Sequence, residues 1–202
     1  MAISLEKGKK VNLQKQQNTG LGEILVNLNW NTRPAKQGFF ASLMGGNKGG
    51  IDLDLGCLYE LKNGRKGTVQ ALGNAFGSLR QEPYIALDGD DRTGAVTTGE
   101  NLRIDGNRIS EIQRVLVYTF IYEGVANWQQ ADAVVTIKYP GAEDLVVKMD
   151  SYNSRDIMCG LVLLENVNDE TFSVEKIVQF YPGHKALDQA FHWGLRWTAG
   201  RK

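Results

Sequence analysis

Apolar residues at every second position are the feature that most limits how this chain can fold. In the segment IDLDLGCLYEL, the odd positions from Ile51 to Leu61 are all apolar, and the positions between them begin with Asp52, Asp54 and Gly56. Successive side chains of a β-strand point to opposite faces of the sheet. The pattern therefore predicts a strand that turns its odd positions towards the core and both aspartates towards the other face.

The same two-residue period recurs in several short segments. It is present in EILVNLNW at 23–30, whereas RVLVYTFIYEG at 114–124 is apolar on both faces and is predicted to be a central strand covered on both sides. AVVTIKYPGAEDLVVKM predicts two strands joined around Pro140, and MCGLVLLENV with FSVEKIVQFYPG predicts another pair joined near Asn168 and Asp169. Short strands at close spacing with turn signals between them favour an all-β protein, an antiparallel β-sandwich.

Helical periodicity is confined to the C-terminal region. In HKALDQAFHWGL, from His184, apolar residues recur at helical spacing and predict one short C-terminal helix that caps the sheet. Two glycine-rich stretches, 38–50 and 62–79, interrupt the strand pattern and are expected to be long loops. A chain of 202 residues without an internal repeat or a clear boundary is expected to form a single domain, residues 1–202.

The composition gives no indication of nucleic acid or an anionic membrane as a partner. Lys plus Arg and Asp plus Glu number 23 each, so the formal net charge is zero. Cys57 and Cys159 lie among apolar residues and are expected to be buried free thiols in a reducing compartment. No segment resembles a signal peptide or a transmembrane span, so we expect a soluble, cytoplasmic protein.

Four carboxylates lie in the segment LDGDDRTGAVTTGENL at 87–102. Asp88, Asp90 and Asp91 fall within four residues, and Glu100 follows. Carboxylates this close repel one another, and Ca²⁺ relieves that repulsion because it takes roughly six to eight oxygen ligands. If the fold brings this loop to the two aspartates of the IDLDL strand, the carboxylates form a cation cage at one edge of the sheet. A plain polar turn is the alternative, since Asp and Gly are also common turn residues.

Other motifs fit their usual chemistry poorly. The acidic loop is not an EF-hand, because Arg92 occupies the fifth ligand position and Gly99 stands where the bidentate glutamate belongs. The GGNKGG segment lacks the spacing of a phosphate-binding loop. His184 and His192 have no third zinc ligand nearby in the sequence, and His184 is expected to take a capping or surface role.

Together these segments resemble the TerD-domain family of bacterial tellurium resistance and stress-response proteins. The resemblance rests on ISLEKGKKVNLQK, ILVNLNW, IDLDLGCLYEL, GDDRTG and RVLVYTFIYEG, which follow the family's order over most of the first 140 residues. The pairing of GDDRTG with GENL and YTFIYEGV is closest to the TerA branch. The resemblance implies a β-sandwich that binds calcium at an acidic edge and has no enzymatic activity.

The resemblance also implies ligands and partners. The expected calcium ligands include side-chain or carbonyl oxygens of Asp52, Asp54, Gly89, Asp90, Asp91, Thr93 and Gly94. The expected partners are other stress-response or tellurium-resistance proteins, including membrane-associated complexes, and not nucleic acid.

This chain departs from the family pattern in its number of acids. The family's first acid in D-F-D-L-D is replaced by Gly50, and the run after the loop, AVTTGENL, keeps only Glu100. Asp88 is an extra acid outside the family pattern. Because the number of charged ligands helps to set calcium affinity, we expect one bound calcium ion and not two.

Two other functions remain open at this point. In one, the acidic loop is only a turn, and the protein is a metal-free scaffold that recruits a partner through the hydrophobic loop 38–50, which contains Phe39 and Met44. In the other, the same carboxylates support metal-assisted hydrolysis of phosphoesters.

Overall fold

The computed structural model is built almost entirely from β-strands, as the two-residue period predicts. It describes residues 2–14, 20–31, 51–88, 99–123, 128–149 and 155–198. The strands are β1 (Ile3–Ser4), β2 (Lys10–Asn12), β3 (Glu23–Asn29), β4 (Asp52–Leu61), β5 (Lys66–Gln70), β6 (Gly77–Ser78), β7 (Ile85–Asp88), β8 (Glu100–Asp105), β9 (Ile112–Glu123), β10 (Val134–Lys138), β11 (Leu145–Lys148), β12 (Met158–Val167) and β13 (Thr171–Tyr181). The helices are α1 (Trp128–Ala131) and α2 (His184–Ala190), with 3-10 turns at Leu72–Asn74 and Gly106–Glu111.

The strands form two sheets that face each other. The seven-stranded sheet has the order β1-β11-β10-β3-β8-β7-β6, and the six-stranded sheet has the order β2-β13-β12-β9-β4-β5. Neighbouring strands are antiparallel throughout, except that β1 runs parallel to β11. This arrangement confirms the predicted antiparallel β-sandwich.

The main core lies between the two sheets and is filled by alternate residues of their strands. From β3 and β8 of one sheet and from β4 and β9 of the other, the inward-facing residues include Val26, Leu28, Leu102, Ile104, Leu53, Leu55, Val115 and Val117. Cys57 and Cys159 are part of the same core, and both thiols are buried and free, as expected. Burial raises the pKa of Cys57 to about 12, so this thiol stays protonated near neutral pH.

A second apolar cluster lies on the outer face of the six-stranded sheet. Helix α2 and the residues after it, called here the C-terminal segment (184–198), cover that face. The cluster contains Leu58, Leu116, Tyr118, Phe120, Met158, Leu163 and Tyr181 from the strands, with Leu187 and Trp193 from the segment. The short C-terminal helix is therefore confirmed, and β9 is apolar on both faces because both faces are covered.

The predicted connections are partly right. Strands β10 and β11 are joined around Pro140 and Gly141, and β12 and β13 are joined at Asn168 and Asp169, which both have a positive φ. The glycine-rich stretch 62–79 is not simply a loop, because it contributes β5 and β6 to the edges of the two sheets. Its glycines interrupt the alternation of apolar and polar residues by which strands are recognised. Gly67 is one of them: it lies within β5, and the side chain of Tyr59 occupies the space that a Cβ at this position would need. The hydrophobic loop 38–50 falls outside the described residues.

The N-terminal residues connect the two sheets along one side. Strand β1 pairs with β11 at the edge of the seven-stranded sheet, and β2 pairs with β13 at the edge of the six-stranded sheet. Lys7, between them, makes an isolated bridge with Lys176 of β13. Within the described ranges, no helix is long and apolar enough to span a membrane.

Candidate metal site

Strand β4 begins with the two predicted aspartate ligands. Its odd positions, such as Leu53 and Leu55, pack into the core between the sheets, so Asp52 and Asp54 lie on the opposite face of the strand, as the alternation predicts. Asp54 is only 1% exposed, whereas Asp52 is partly exposed. Asp54 lies opposite Phe120 of β9 in the ladder. A strand aspartate of this kind is buried inside the protein and does not face solvent.

A second buried carboxylate reaches the same strand from the other sheet. Glu100 is the first residue of β8, where it alternates with Leu102 and Ile104 on the face that points inwards, and it is 2% exposed. Its Oε2 accepts a hydrogen bond from the backbone N–H of Leu55, with an N···O distance of 2.6 Å. Glu100 therefore contacts the peptide group that links Leu55 to Asp54.

This hydrogen bond forms at the point where β5 stops pairing with β4. Strand β5 pairs with β4 only as far as Gly56, which lies opposite Gln70. The N–H of Leu55 lies just beyond that pairing, and a buried N–H without an acceptor would cost about 1–3 kcal/mol. The carboxylate of Glu100 satisfies this donor and joins the two sheets at the edge where β4 begins.

The connection between β7 and β8 leaves and re-enters the sheet at this edge. The last pair before the connection joins Asp88 to Asn101, next to Glu100. Gly99 has a φ of 69°, and a Cβ at this position would overlap the carbonyl oxygen of Leu28 on β3. Only glycine fits this re-entry, so the geometry that positions Glu100 depends on Gly99.

Asp88 lies on a different face from Glu100. Its carboxylate accepts hydrogen bonds from Nε of Arg103, with both N···O distances at 2.8 Å, on the outer face of the seven-stranded sheet. Arg103 also pairs with Glu23, and the hydrogen bonds to these two carboxylates raise its pKa above the ordinary value. The ion pair gives Asp88 a positively charged neighbour that does not depend on a metal ion.

The other predicted ligands cannot be placed in the same way. Gly89, Asp90, Asp91, Thr93 and Gly94 lie outside the described residues, and as ligands they stay predictions. Within the described ranges, no group of three or more His, Cys, Asp or Glu side chains is arranged to hold a metal ion. The described part of the site therefore consists of Asp54 and Glu100, with Asp52 two residues before Asp54.

The donor chemistry of these residues fits a hard cation. They supply carboxylate oxygens only, which suit Ca²⁺ or Mg²⁺ better than zinc or copper. Removing an ionised carboxylate from water costs several kcal/mol unless a partner charge or good hydrogen bonds compensate. Asp54 on β4 and Glu100 on β8 are both nearly fully buried, so that cost is large, and a bound cation is one way to offset it.

Sequence reasoning missed a polar cluster close to Asp54. The hydroxyl of Tyr118 donates a hydrogen bond to Oε1 of Gln70 at 2.6 Å, and Nε2 of His184 lies 3.0 Å from the same oxygen. The ring centroid of His184 lies 5.0 Å from that of Phe120 and 4.9 Å from that of Trp197. The expected capping or surface role of His184 is wrong, because the ring packs among aromatic side chains. Burial lowers its pKa to about 4.

The sequence contains no local signal for this cluster. Its members come from four separate parts of the chain, namely β5, β9, α2 and the end of the C-terminal segment. Only the pairing of the strands and the docking of the segment bring them together.

The fold and these motifs agree with comparisons to known proteins. A model of the TerD domain matches residues 1–140. The chain belongs to the TerD-domain family. It is 42% identical over 201 residues to the tellurium resistance protein TerA of an Alcaligenes species; the alignment covers 99% of this chain and 58% of that protein. The predicted family and its TerA branch are thus confirmed, although this chain spans only a little over half of that relative.

A second relative carries a different name. The chain is 30% identical over 167 residues to the stress response protein SCP2 of Bacillus subtilis (strain 168), covering 79% of this chain and 81% of that one.

Two solved structures show the same fold. A crystal structure of SAV2460, a protein of unknown function, matches with a TM-score of 0.60 at 14% identity, covering 88% of this chain and 100% of that one. The crystal structure of SCO6318 from Streptomyces coelicolor A3(2), a homologue of the telluride resistance protein TerD, matches with a TM-score of 0.58 at 18% identity, covering 84% and 95%. At such low identity these matches concern the TerD-like fold alone.

Proposed function

We propose that this protein is a non-enzymatic calcium-binding module of the bacterial tellurite resistance and stress response. The observation that supports this proposal best is that two buried carboxylates lie near the start of β4. Asp54 belongs to that strand, and Glu100 accepts a hydrogen bond from the backbone N–H of the next residue, Leu55. The site would hold one Ca²⁺ ion, with Asp52 and Asp54 supplied by β4 and further oxygens supplied by the connection that contains Asp90.

The expected role of the ion is to join two parts of the sandwich. Asp54 belongs to the six-stranded sheet, whereas the connection that contains Asp90 joins β7 to β8, two strands of the seven-stranded sheet. A cation that binds both would reduce the repulsion between their carboxylates and stabilise the folded state by mass action. Calcium suits such a site because it accepts irregular sets of oxygen ligands.

The proposed setting follows from the relatives. One relative is named a tellurium resistance protein, and another is named a stress response protein. We propose that this protein acts in the cytoplasm as an interaction module, and that its partners are other proteins of the same response, including membrane-associated ones.

Calorimetric titration with CaCl₂ and thermal melts in calcium or EGTA test the metal site. We expect one ion per chain and a higher Tm in calcium, and both effects should be lost in Asp54→Asn. Asp169→Asn is the matched control, because Asp169 is an exposed carboxylate in the turn between β12 and β13 and pairs with Lys62. The absence of any calcium effect on the wild-type protein, or equal binding by Asp54→Asn, would contradict the proposal.

Assays with model phosphoesters test the non-enzymatic role. Purified protein with Mg²⁺ or Mn²⁺ should give no turnover above that of the Asp54→Asn variant. Turnover that disappears in Asp54→Asn and persists in Asp169→Asn would instead support metal-assisted hydrolysis.

A further inference from the structure

Asp54 lies at the border between the proposed metal site and the outer apolar cluster. Its strand neighbours on that face are Gly56 and Leu58, and Leu58 packs in the cluster that the C-terminal segment covers. The ring of Tyr118 lies directly over Gly56, where an added Cβ would be 2.7 Å from a ring carbon. Asp54 therefore has a large aromatic side chain beside it along the strand.

The same aromatic residues contact the C-terminal segment. Phe120 lies opposite Asp54 in the ladder, and side chains of directly opposed residues are close neighbours. The ring centroid of His184 is 5.0 Å from that of Phe120 and 5.5 Å from that of Tyr118. Burial raises the pKa of Tyr118, and the charge of Asp54 adds a smaller effect in the same direction. Asp54 therefore lies close to a residue that the segment contacts.

The C-terminal segment is held together as one unit. The buried carboxylate of Asp188 accepts hydrogen bonds from the backbone N–H groups of Gly194 and Leu195, each at 2.9 Å, and from Nε1 of Trp197 at 3.1 Å. These bonds fold the residues after α2 back onto the helix. A displacement at one end of the segment should therefore displace the rest of it.

Trp193 anchors this unit to the sheet. Its Nε1 donates a hydrogen bond to the backbone oxygen of Tyr59 at 2.9 Å, and the guanidinium carbon of Arg114 lies 3.8 Å from the centroid of its ring. Both contacts are made to β4 and β9, the two strands that carry Asp54 and Phe120.

We propose that cation binding at Asp54 and docking of the C-terminal segment are coupled, so that calcium favours the docked segment and the docked segment favours calcium. This inference rests on the proposed calcium site. The docked segment completes the apolar cover of the outer face, and an anionic carboxylate beside such a cover is poorly solvated. A cation at Asp54 relieves that cost, whereas release of the segment lets water relieve it instead.

Thermodynamic linkage makes the two effects equal in size. If calcium raises the equilibrium constant for docking of the segment by some factor, docking must raise the calcium affinity by the same factor. The position of the C-terminal segment would then depend on whether the ion is bound. With calcium the segment would cover the apolar outer face of the six-stranded sheet, and without calcium that face would be exposed more often.

Calcium titrations of variants with a loosened segment test this coupling. In Trp193→Ala and in the milder Asp188→Asn, we expect calcium to bind about 5- to 20-fold more weakly than in the wild type, within the usual range of coupling between sites. Phe172→Ala is the control, because it removes a buried aromatic from the core between the sheets, in β13, and leaves the outer cluster intact. Its calcium affinity should match that of the wild type.

Hydrogen exchange gives the reciprocal measurement on the wild-type protein. Amides of residues 185–198 should exchange more slowly in calcium than in EGTA, by a larger factor than amides of β10 and β11. Equal affinity in all folded variants, with no selective change in exchange, would overturn the coupling and leave the calcium site standing. A wild-type protein that binds no calcium, or an Asp54→Asn variant that binds it normally, would overturn both proposals.

Discussion

The outer faces of the two sheets differ in what covers them. The six-stranded sheet carries aromatic residues and a buried polar cluster under the C-terminal segment. The seven-stranded sheet places partly exposed polar residues on its outer face, where Arg103 lies between Asp88 and Glu23. Both sheets share one core, so the difference lies only in the face that points away from it.

Two aspartates show what this difference means for function. Asp54 and Asp88 are both strand residues that point away from the shared core, yet Asp54 is almost fully buried and Asp88 is exposed. The negative charge of Asp88 is compensated by Arg103 at the surface and is also solvated by water. Asp54 must be compensated inside an apolar environment, where electrostatic effects are stronger. The residue type alone does not decide which carboxylate is suited to hold a cation.

Removal of the main anchor of the covered face should have the largest effect. Trp193→Ala deletes a side chain that is 2% exposed, and substitutions of this kind cost about 3–5 kcal/mol. Urea unfolding followed by circular dichroism measures the change in the free energy of unfolding. A loss below about 1 kcal/mol would show that the segment contributes little and that the two outer faces are energetically alike.

The covered face should also make the protein sensitive to mild acid. Because the pKa of His184 falls to about 4 in the folded state, below its ordinary value near 6.5, the unfolded state binds the proton more readily. Stability that is present above pH 6.5 should therefore decline as the pH falls towards 4. The stability of His184→Phe should decline less between those two pH values, and parallel curves for variant and wild type would contradict the buried position of the ring.

The buried polar cluster should contribute a moderate amount. Tyr118→Phe removes the hydroxyl that bonds Gln70 and lies 2.7 Å from Oγ1 of Thr68. Loss of a partner from a buried hydrogen bond costs about 1–3 kcal/mol. The unfolding free energy measures this effect, and an unchanged value would show that water replaces the hydroxyl at no cost.

The exposed face should contribute least. Arg103→Ala breaks the ion pairs with Asp88 and Glu23, which are partly exposed and worth about 0–1 kcal/mol. The effect should shrink further when unfolding is measured in 0.5 M NaCl. A salt-independent loss above about 2 kcal/mol would mean that this face is as strongly coupled to the fold as the covered one.

Local patterns predicted the strands well. The strict alternation around Asp52 and Asp54 identified the strand and its two faces, and Pro140 and Asn168 marked true connections. The prediction for the stretch 62–79 was wrong because its glycines interrupt the alternation of apolar and polar residues. Gly67 is a glycine because the side chain of Tyr59, on the neighbouring strand, packs against that position. Such a reason lies in tertiary contacts and leaves no trace in the local sequence.

The candidate site could be predicted only in part for the same reason. The sequence grouped Asp52, Asp54 and Glu100 by chemistry and by family resemblance, and the structure brings Glu100 to the backbone next to Asp54. It could not reveal that the outer face of β4 is covered at Leu58, because the covering residues Leu187 and Trp193 lie more than a hundred positions later in the chain. His184 was misjudged because nothing near it in the sequence indicates its aromatic neighbours.

The pairing of the N-terminal strands has a consequence for biosynthesis. Residues of β1 and β2 find their partners only in β11 and β13, and Lys10 pairs with Glu175. At roughly 5–20 residues per second, a ribosome needs on the order of ten to thirty seconds between those two residues. During that interval β2 is without its final neighbour, whereas β1 gains its neighbour earlier, when β11 emerges. The start of the chain is among the last parts to be fixed in place.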